Sequence, residues 1–294
     1  MRKGLLFFII VILAISSWAL FRMHKGGSLS LNSDNETTNL IRPEGMTIEE
    51  RFSLPVEYGN FKRVQLQEHS FGAFLRQFPL LEHGSDVFYF DGRKKKKDVH
   101  EAVFDIDVGT KDLQQCADAV VRLYAEYLFS EKRFEEIGFH FTNGFFCDYL
   151  NWRNGKRIQV SGNNVRWIQS AAYDDSYENF RKYLETVFMY AGTISLSKEL
   201  NNVIYDEIMP GDVLIQGGSP GHAVLVVDCA VDENGQKLVM FAQSYMPAQS
   251  IHILKNQGDP EISPWYRVDS GIDQIVTPEW TFKTTDLKGF PVIR

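Results

Sequence analysis

Three apolar segments separated by turn residues lie close together in the last third of the chain. They are Val213–Gln216, His222–Val227 and Lys237–Gln243, and Asn234-Gly235 between the last two is typical of a tight hairpin turn. Short apolar segments bounded by turn residues predict strands. A sheet of such strands must bury its apolar face against other parts of the chain. This requirement excludes a purely helical or disordered fold.

Two upstream segments have the 3-4 spacing of apolar residues that is typical of amphipathic helices. Residues 112–129 predict the clearest helix, with Asp112 as N-cap and Gln115 as its capping-box partner. Residues 176–191 predict a second helix that ends before Gly192. The predicted fold class is therefore α+β, with helices packed on an antiparallel sheet. Shorter predictions are a helix at 71–78, strands at 86–90, 103–108 and 251–254, and a hairpin turn at Asp91-Gly92.

The N-terminal segment combines a basic start with a long uncharged run. Arg2 and Lys3 precede Gly4–Leu20, which as a helix would span roughly 26 Å. This pattern is typical of a secretory signal or an uncleaved membrane anchor, and it predicts export of the rest of the chain. We expect an exported protein of the cell envelope, either periplasmic or anchored in the membrane. The predicted domains are a signal peptide or membrane anchor at 1–23, a flexible linker at 24–45 and a single domain at 46–294.

Charge and motif content exclude several classes of function. The chain has 294 residues and a formal net charge of -7, whereas nucleic-acid binders are usually basic. We therefore expect no nucleic-acid partner. Metal-binding spacings such as Cys-x-x-Cys or His-Glu-x-x-His do not occur, nor does a Walker loop or a dinucleotide fingerprint. The sequence predicts neither a metal site nor a cofactor.

One cysteine and one histidine occupy positions that suit nucleophilic catalysis. Cys116 lies in the first turn of its predicted helix, where unpaired N–H groups and the helix dipole favour a thiolate. His222 opens a predicted strand and Gln243 lies late in the next one, so a base and a group that orients its ring follow in order. Cys116 also fits a buried position on the apolar face of the helix. Cys147 and Cys229 would be paired with each other or inert.

The block around His222 resembles part of a known peptidase group. Pro210-Gly211-Asp212 leads into a strand and a glycine-rich turn, and Gly221-His222 then opens the next strand. This arrangement resembles the NlpC-like and CHAP-type papain-like cysteine peptidases, in which the Cys starts the central helix and precedes the His. The resemblance implies a papain-like core. The sequence departs from that group at Gln115, which replaces the usual acidic residue before the Cys.

Roles for individual residues follow from the spacing and the resemblance together. Cys116 is the predicted nucleophile and His222 the predicted base. The third position stays open among Gln243, Ser244 and Asp228, with Gln243 preferred. The backbone N–H of Cys116 would stabilise the oxyanion, together with Gln114 or Gln115.

Most of the chain from about residue 50 resembles a bacterial group, domain-of-unknown-function family 4846. The resemblance implies no activity, because none is known for the family. The matching stretches are DLQQCADAVVRLYAEYL from Asp112, GFHFTNGF from Gly138, PGDVLIQGGSPGHAVLVVD from Pro210 and AQSYMPAQSIHIL from Ala242.

These patterns lead to one preferred function and two alternatives. The preferred function is an envelope thiol hydrolase that cleaves amide or peptide bonds, and the resemblance implies cell-wall peptide as its substrate. The first alternative is a non-catalytic domain of the same fold that binds peptide or glycan in the same cleft. The second alternative is a structural envelope protein in which Cys116 and His222 are core residues.

Three further groups of residues are weaker candidates. His140, flanked by aromatic residues, fits either a core position or a position beside a pocket. Trp152, Arg157 and Trp167 fit core packing better than a sugar- or peptide-binding surface. The basic run 93–97 follows Asp91-Gly92, so a solvated hairpin loop is favoured over an anion site.

Overall fold

The structure, a computed structural model, describes residues 39–269 and 271–291. The predicted signal or anchor at 1–23 and most of the predicted linker lie outside these residues. Among the residues described, no helix combines the length and the apolar character needed to cross a membrane. Ordered contacts begin before the predicted end of the linker at Gly45, since Leu40 is buried and Ile41 forms a β-bridge with Phe52.

The described chain alternates short helices with short strands, as an α+β fold does. The helices are α1 (Ile48–Arg51), α2 (Phe71–Arg76), α3 (Cys116–Ser130), α4 (Tyr149–Arg153), α5 (Tyr177–Tyr190) and α6 (Thr193–Glu199). Single 3-10 turns occupy Val56–Tyr58, Phe134–Glu136, Tyr205–Glu207 and Thr284–Asp286. The strands are β1 (Lys62–Arg63), β2 (His100–Val103), β3 (Gly138–His140), β4 (Phe146–Asp148), β5 (Lys156–Ser161), β6 (Asn164–Gln169), β7 (Asn201–Asn202), β8 (Val213–Gln216), β9 (His222–Val231), β10 (Lys237–Gln243), β11 (His252–Leu254), β12 (Tyr266–Val268), β13 (Gln274–Val276), β14 (Thr281–Lys283) and β15 (Leu287–Gly289).

One large sheet organises the fold, and its strand pairs are antiparallel. Its order is β2-β11-β10-β9-β8-β15-β7, with β1 added to β9 and β12 added to β10. Separate two-stranded sheets are formed by β3 with β4, β5 with β6, and β13 with β14. The predicted α+β class with an antiparallel sheet is confirmed, and the strands predicted at 213–216 and 237–243 have the expected bounds.

Both faces of the central strand β9 are buried. Ala223, Leu225 and Val227 pack into a larger core together with the helices, whereas Val224 and Val226 pack into a second core on the opposite face. Residues that alternate along a strand point to opposite faces, so a strand covered on both sides is apolar along most of its length. Residues from β12, β13 and β14 contribute to the second core.

Helix α3 begins later than predicted. Gln115 is its N-cap, and the Asp118 carboxylate accepts a hydrogen bond from the Gln115 backbone N–H at 3.1 Å. Asp112, the predicted N-cap, instead accepts from the backbone N–H of Ala248 at 2.7 Å, so it holds the loop after β10. Cys116 is therefore the first residue of the helix.

Two predicted strands in the first half of the domain were wrong. Residues 86–90 form only isolated bridges, Phe88 with Lys94 and Tyr89 with Gln249. The strand predicted at 103–108 lies earlier, at His100–Val103, because its partner β11 has only three residues and the ladder ends with it. Alternation of apolar residues does not reveal how long the partner strand is.

Asp228 places a charge in the middle of the buried strand β9. Its carboxylate accepts from Arg63 Nε at 2.6 Å and from Arg76 Nε at 2.8 Å. The side chain of Asp228 is fully buried, whereas both arginines keep some exposure. These two ion pairs hold β1 and α2 against the sheet.

Replacement of Asp228 by alanine tests this arrangement. We expect Asp228→Ala to lower the free energy of unfolding by about 3–5 kcal/mol, because it leaves two arginines without their buried partner. Urea denaturation measures the change. Asp86→Ala is the control: it removes an exposed ion pair with Lys94 and should lower stability by about 1 kcal/mol or less. Equally small losses of stability in both variants would show that water replaces Asp228 as the hydrogen-bond partner of the two arginines.

Candidate active site

A cleft of about 400 Å³ opens at the N-terminus of α3. The first turn of α3, the α5–α6 junction, the glycine-rich turn before β9 and Met246 line it. Cys116 belongs to this lining, although only 6% of its surface is exposed. A Cβ at Gly221 would lie 2.5 Å from Thr193 Oγ1 and 2.6 Å from the carbonyl oxygen of Gly218. Only glycine therefore lets the turn before β9 approach the helix junction so closely.

The thiol of Cys116 is protonated at neutral pH. Burial, reinforced by the negative charge of Asp118, raises the pKa of Cys116 to about 11. The backbone N–H groups of Ala117 and Ala223 lower this pKa but do not offset the burial. The expectation that the helix start makes Cys116 partly thiolate is wrong for the free protein, because desolvation outweighs the backbone donors.

His222, the first residue of β9, is almost completely buried. Three aromatic rings surround its imidazole, with centroid distances of 4.7 Å to Tyr245, 5.3 Å to Trp280 and 5.9 Å to Phe282. Burial lowers the pKa of His222 to about 4. The imidazole is therefore neutral at pH 7 and can accept a proton.

A chain of hydrogen bonds leads from His222 to a buried ion pair. His222 Nε2 lies 2.8 Å from Gln243 Oε1, and Gln243 Nε2 donates to Glu279 Oε2 at 2.8 Å. Lys95 Nζ donates to the same carboxylate oxygen at 2.7 Å. The side chains of Lys95 and Glu279 are only 3% and 9% exposed. Burial lowers the pKa of Lys95, and the adjacent Glu279 opposes that shift.

This ion pair determines which way the Gln243 amide faces. A carboxylate only accepts hydrogen bonds, so the amide NH₂ must face Glu279 and the amide oxygen must face His222. His222 Nε2 then carries the proton and donates a hydrogen bond to Gln243 Oε1. The lone pair remains on His222 Nδ1, which is the nitrogen available as a general base.

Of the three candidates for the third position, Gln243 is the one that contacts His222. Ser244 Oγ lies 2.9 Å from the carbonyl oxygen of Gln114, so it connects the end of β10 with the segment before α3. Asp228 is held by its two arginines further along β9. The structure thus brings the preferred candidate to the histidine and places the other two elsewhere.

The two glutamines proposed for the oxyanion differ in position. Gln115 lines the cleft, and its side-chain Nε2 donates to Asp112 Oδ1 at 3.0 Å. The Gln114 side chain is buried, and its Oε1 accepts from Arg122 Nη1 at 2.9 Å. Only Gln115 of the pair borders the space in which a substrate would bind.

The weaker candidates lie away from this cleft. His140 Nδ1 is 2.6 Å from Glu199 Oε1, and both residues line a separate cavity of about 350 Å³. Trp152 is buried, and the Arg157 guanidinium lies 4.2 Å from the centroid of its ring. Trp167 packs on Phe145. The favoured interpretation of Trp152 and Arg157 as packing residues fits these contacts.

All three cysteines are free and buried, so Cys147 and Cys229 are not paired with each other. Burial raises the pKa of Cys229 to about 12 and that of Cys147 even further. Neither residue lines the cleft of Cys116. Both therefore have the environment of inert core thiols.

Sequence reasoning missed four residues around His222 and Cys116. Lys95 was hidden in a basic run that was predicted to be a solvated loop. Glu279 and Trp280 follow Pro278 in a segment without a recognisable motif. Asp118 has the sequence position of an ordinary acidic residue in the first turn of a helix.

Comparison with known proteins places the whole arrangement within one family model. The model described as Domain of unknown function (4846) matches residues 48–289, which is more than half of the chain. No curated protein and no solved structure matches the chain. In the part of the chain that the structure describes, no group of three or more His, Cys, Asp or Glu residues could hold a metal ion.

The protonation state of the thiol can be tested by alkylation. With a pKa of about 11, native Cys116 should react slowly with iodoacetamide at pH 7. Its rate should rise roughly tenfold per pH unit between pH 7 and 9, because only the thiolate reacts. Mass spectrometry of each labelled cysteine gives the rates, and Cys116 should still react faster than Cys147 or Cys229. The urea-unfolded protein is the control, since its thiols titrate near about 8.5. An alkylation rate of native Cys116 that no longer changes with pH above pH 7 would contradict a protonated thiol.

Proposed function

This chain belongs to the family of the domain of unknown function (4846), and we propose that it is a thiol hydrolase that cleaves an amide or peptide bond. The hydrogen bond of 2.8 Å between His222 Nε2 and Gln243 Oε1 carries this proposal. That bond leaves Nδ1 as the basic nitrogen of a buried histidine. The backbone N–H of Ala223, the residue after His222, lowers the pKa of Cys116, which supports a position of the sulfur near the start of β9.

We further propose that the core is papain-like. In support, the thiol begins a helix, the histidine begins a strand, and the orienting amide ends the antiparallel neighbour of that strand. Helix α3 also packs into the same core as β9. The order of these groups along the chain is that of the NlpC-like and CHAP-type enzymes.

The proposed reaction proceeds in two halves. His222 Nδ1 accepts the thiol proton while Cys116 Sγ attacks the carbonyl carbon of the substrate, and the backbone N–H of Cys116 stabilises the oxyanion together with the Gln115 amide. The carbon–nitrogen bond then breaks, and the imidazolium gives its proton to the leaving amine. Water, deprotonated by His222, attacks the thioester and releases the acid, and the imidazolium returns its proton to the sulfur. The net reaction consumes one water and forms one acid and one amine.

Transfer of the thiol proton is unfavourable in the free protein. The thiol pKa is about 11 and the imidazole pKa about 4, so a thiolate–imidazolium pair is not populated before substrate binds. The chemical step therefore requires that substrate binding stabilise the charges. The same observation favours the alternative of a domain of this fold that binds peptide or glycan in the cleft without cleaving it.

We propose cell-wall peptide as the substrate and the cell envelope as the location. The uncharged run Gly4–Leu20 after Arg2 and Lys3 supports export, with the domain either anchored in the membrane or released into the periplasm. The net charge of -7 supports a partner other than nucleic acid. A cleft of about 400 Å³ is large enough for a short peptide.

Single and double substitutions test the thiol mechanism. We expect Cys116→Ser and His222→Ala each to abolish cleavage of cell-wall muropeptides, and the double variant to lose little more, because the two groups act as one unit. Mass spectrometry of the released fragments measures turnover. Turnover that is undiminished in Cys116→Ser would end the thiol mechanism. Wild-type protein that binds muropeptides without cleaving them would favour the binding alternative.

The ion pair behind Gln243 can be tested separately through Glu279→Gln. A neutral amide at this position can present either oxygen or nitrogen, so it no longer forces the Gln243 oxygen toward His222. We expect kcat to fall roughly 10- to 100-fold with KM little changed, which is the range seen when a metal-ligating histidine loses its hydrogen-bond partner. The pH dependence of kcat should shift as well.

Lys97→Gln is the matched control for Glu279→Gln. It removes a longer contact of 3.7 Å to the same carboxylate and leaves the Gln243 hydrogen bond intact. Circular dichroism at the assay temperature checks that each variant is folded. Equal activity losses in the two variants would assign Glu279 a general electrostatic effect instead of a positioning role.

A further inference from the structure

Asp118 is a buried carboxyl group whose hydrogen bonding is incomplete. It lines the same cleft as Cys116, and only 6% of its surface is exposed. Oδ2 accepts from the Gln115 backbone N–H, but Oδ1 has no hydrogen-bond partner. A buried carboxyl oxygen without a partner carries a desolvation penalty that a ligand with hydrogen-bond donors would relieve.

The cleft offers this carboxyl group no positive charge. Its ionisable lining residues are Asp112, Asp118 and Cys116, and neither Lys, Arg nor His lines it. Asp112 already accepts from the Ala248 and Gln115 nitrogens. Asp118 takes part in no ion pair within the described residues. Burial raises the pKa of Asp118 to about 8, as expected for a carboxyl group that lacks a cation.

We propose that Asp118 is the binding group for a protonated amine of the substrate, so that the enzyme cleaves amide bonds lying near a free amino group. This proposal rests on the proposed thiol hydrolase and names the class of its substrate. An ammonium group supplies several N–H donors and one positive charge. Asp118 Oδ1 lacks a donor, and the cleft lacks a positive charge.

A bound ammonium group would also hold Asp118 in its charged form. Burial raises the pKa of this carboxyl group to about 8 in the free protein, and a cation beside it lowers that pKa. The ammonium group and the carboxylate then balance each other, so no net charge is added beside the thiol of Cys116.

Binding measurements in a variant without the nucleophile test the proposal independently of turnover. The probes are L-alanyl-L-alanine amide and its N-acetylated form, titrated into full-length Cys116→Ala protein by calorimetry. The free amine should bind roughly ten- to hundredfold more tightly than the acetylated probe, which is the difference in affinity that one charge-assisted hydrogen bond makes. The Asp118 carboxyl carbon signal in NMR should move toward that of a carboxylate at pH 7 with the free amine only.

Two further substitutions separate recognition from structure. Asp118→Asn keeps an oxygen for the Gln115 N–H and should remove the preference for the free amine. Asp112→Asn removes the other acidic charge of the cleft and should leave the preference unchanged. Equal affinity for both probes, no binding of the free amine, or an unchanged preference in Asp118→Asn would each overturn the proposal. If the preference is found but wild-type protein cleaves no substrate, the amine site stands and the hydrolase proposal fails.

Discussion

The rest of the structure depends on the burial of β9 on both faces. A strand enclosed in this way has no water to satisfy a polar side chain, so each one needs a partner inside the protein. Asp228 has two arginines for this purpose, and His222 has the Gln243 amide. The first of these arrangements fastens β1 and α2 to the sheet, and the second sets up the proposed base.

The same burial determines the chemistry of the cleft. Removal of water favours the neutral form of every ionisable group, which raises the pKa of Cys116 and Asp118 and lowers that of His222. The helix N-terminus and the backbone donors act in the opposite direction on the thiol, but they are weaker. The site therefore holds its thiol, imidazole and carboxyl groups uncharged in the free protein. An amine bound beside Asp118 would supply the cation that the carboxylate form lacks, so the electrostatics and the unpartnered oxygen of Asp118 favour the same ligand.

The sequence was most informative where a pattern was local. Periodicity and turn residues predicted the α+β class, the second long helix and the central strands. The position of Gln243 on the strand after His222 made it the preferred group to orient the imidazole. The start of α3 was misplaced because Asp112 bonds to Ala248, a contact between residues far apart in the chain. The same limitation hid Lys95 and Glu279, which meet only after the chain has folded. The thiolate expectation failed because helix position can be read from sequence, whereas the degree of desolvation cannot.

The ion pair between Lys95 and Glu279 is better explained by orientation than by stability. A buried ion pair loses much of its attraction to the cost of desolvation, and well-packed apolar residues of similar size often stabilise a fold equally well. Apolar residues at these two positions would leave the Gln243 amide free to turn, and either its nitrogen or its oxygen could then face His222. The carboxylate permits only one of these orientations, since it accepts hydrogen bonds and cannot donate them. Lys95 donates to the same carboxylate oxygen as Gln243, so a buried ion pair behind the amide determines which nitrogen of His222 holds the proton.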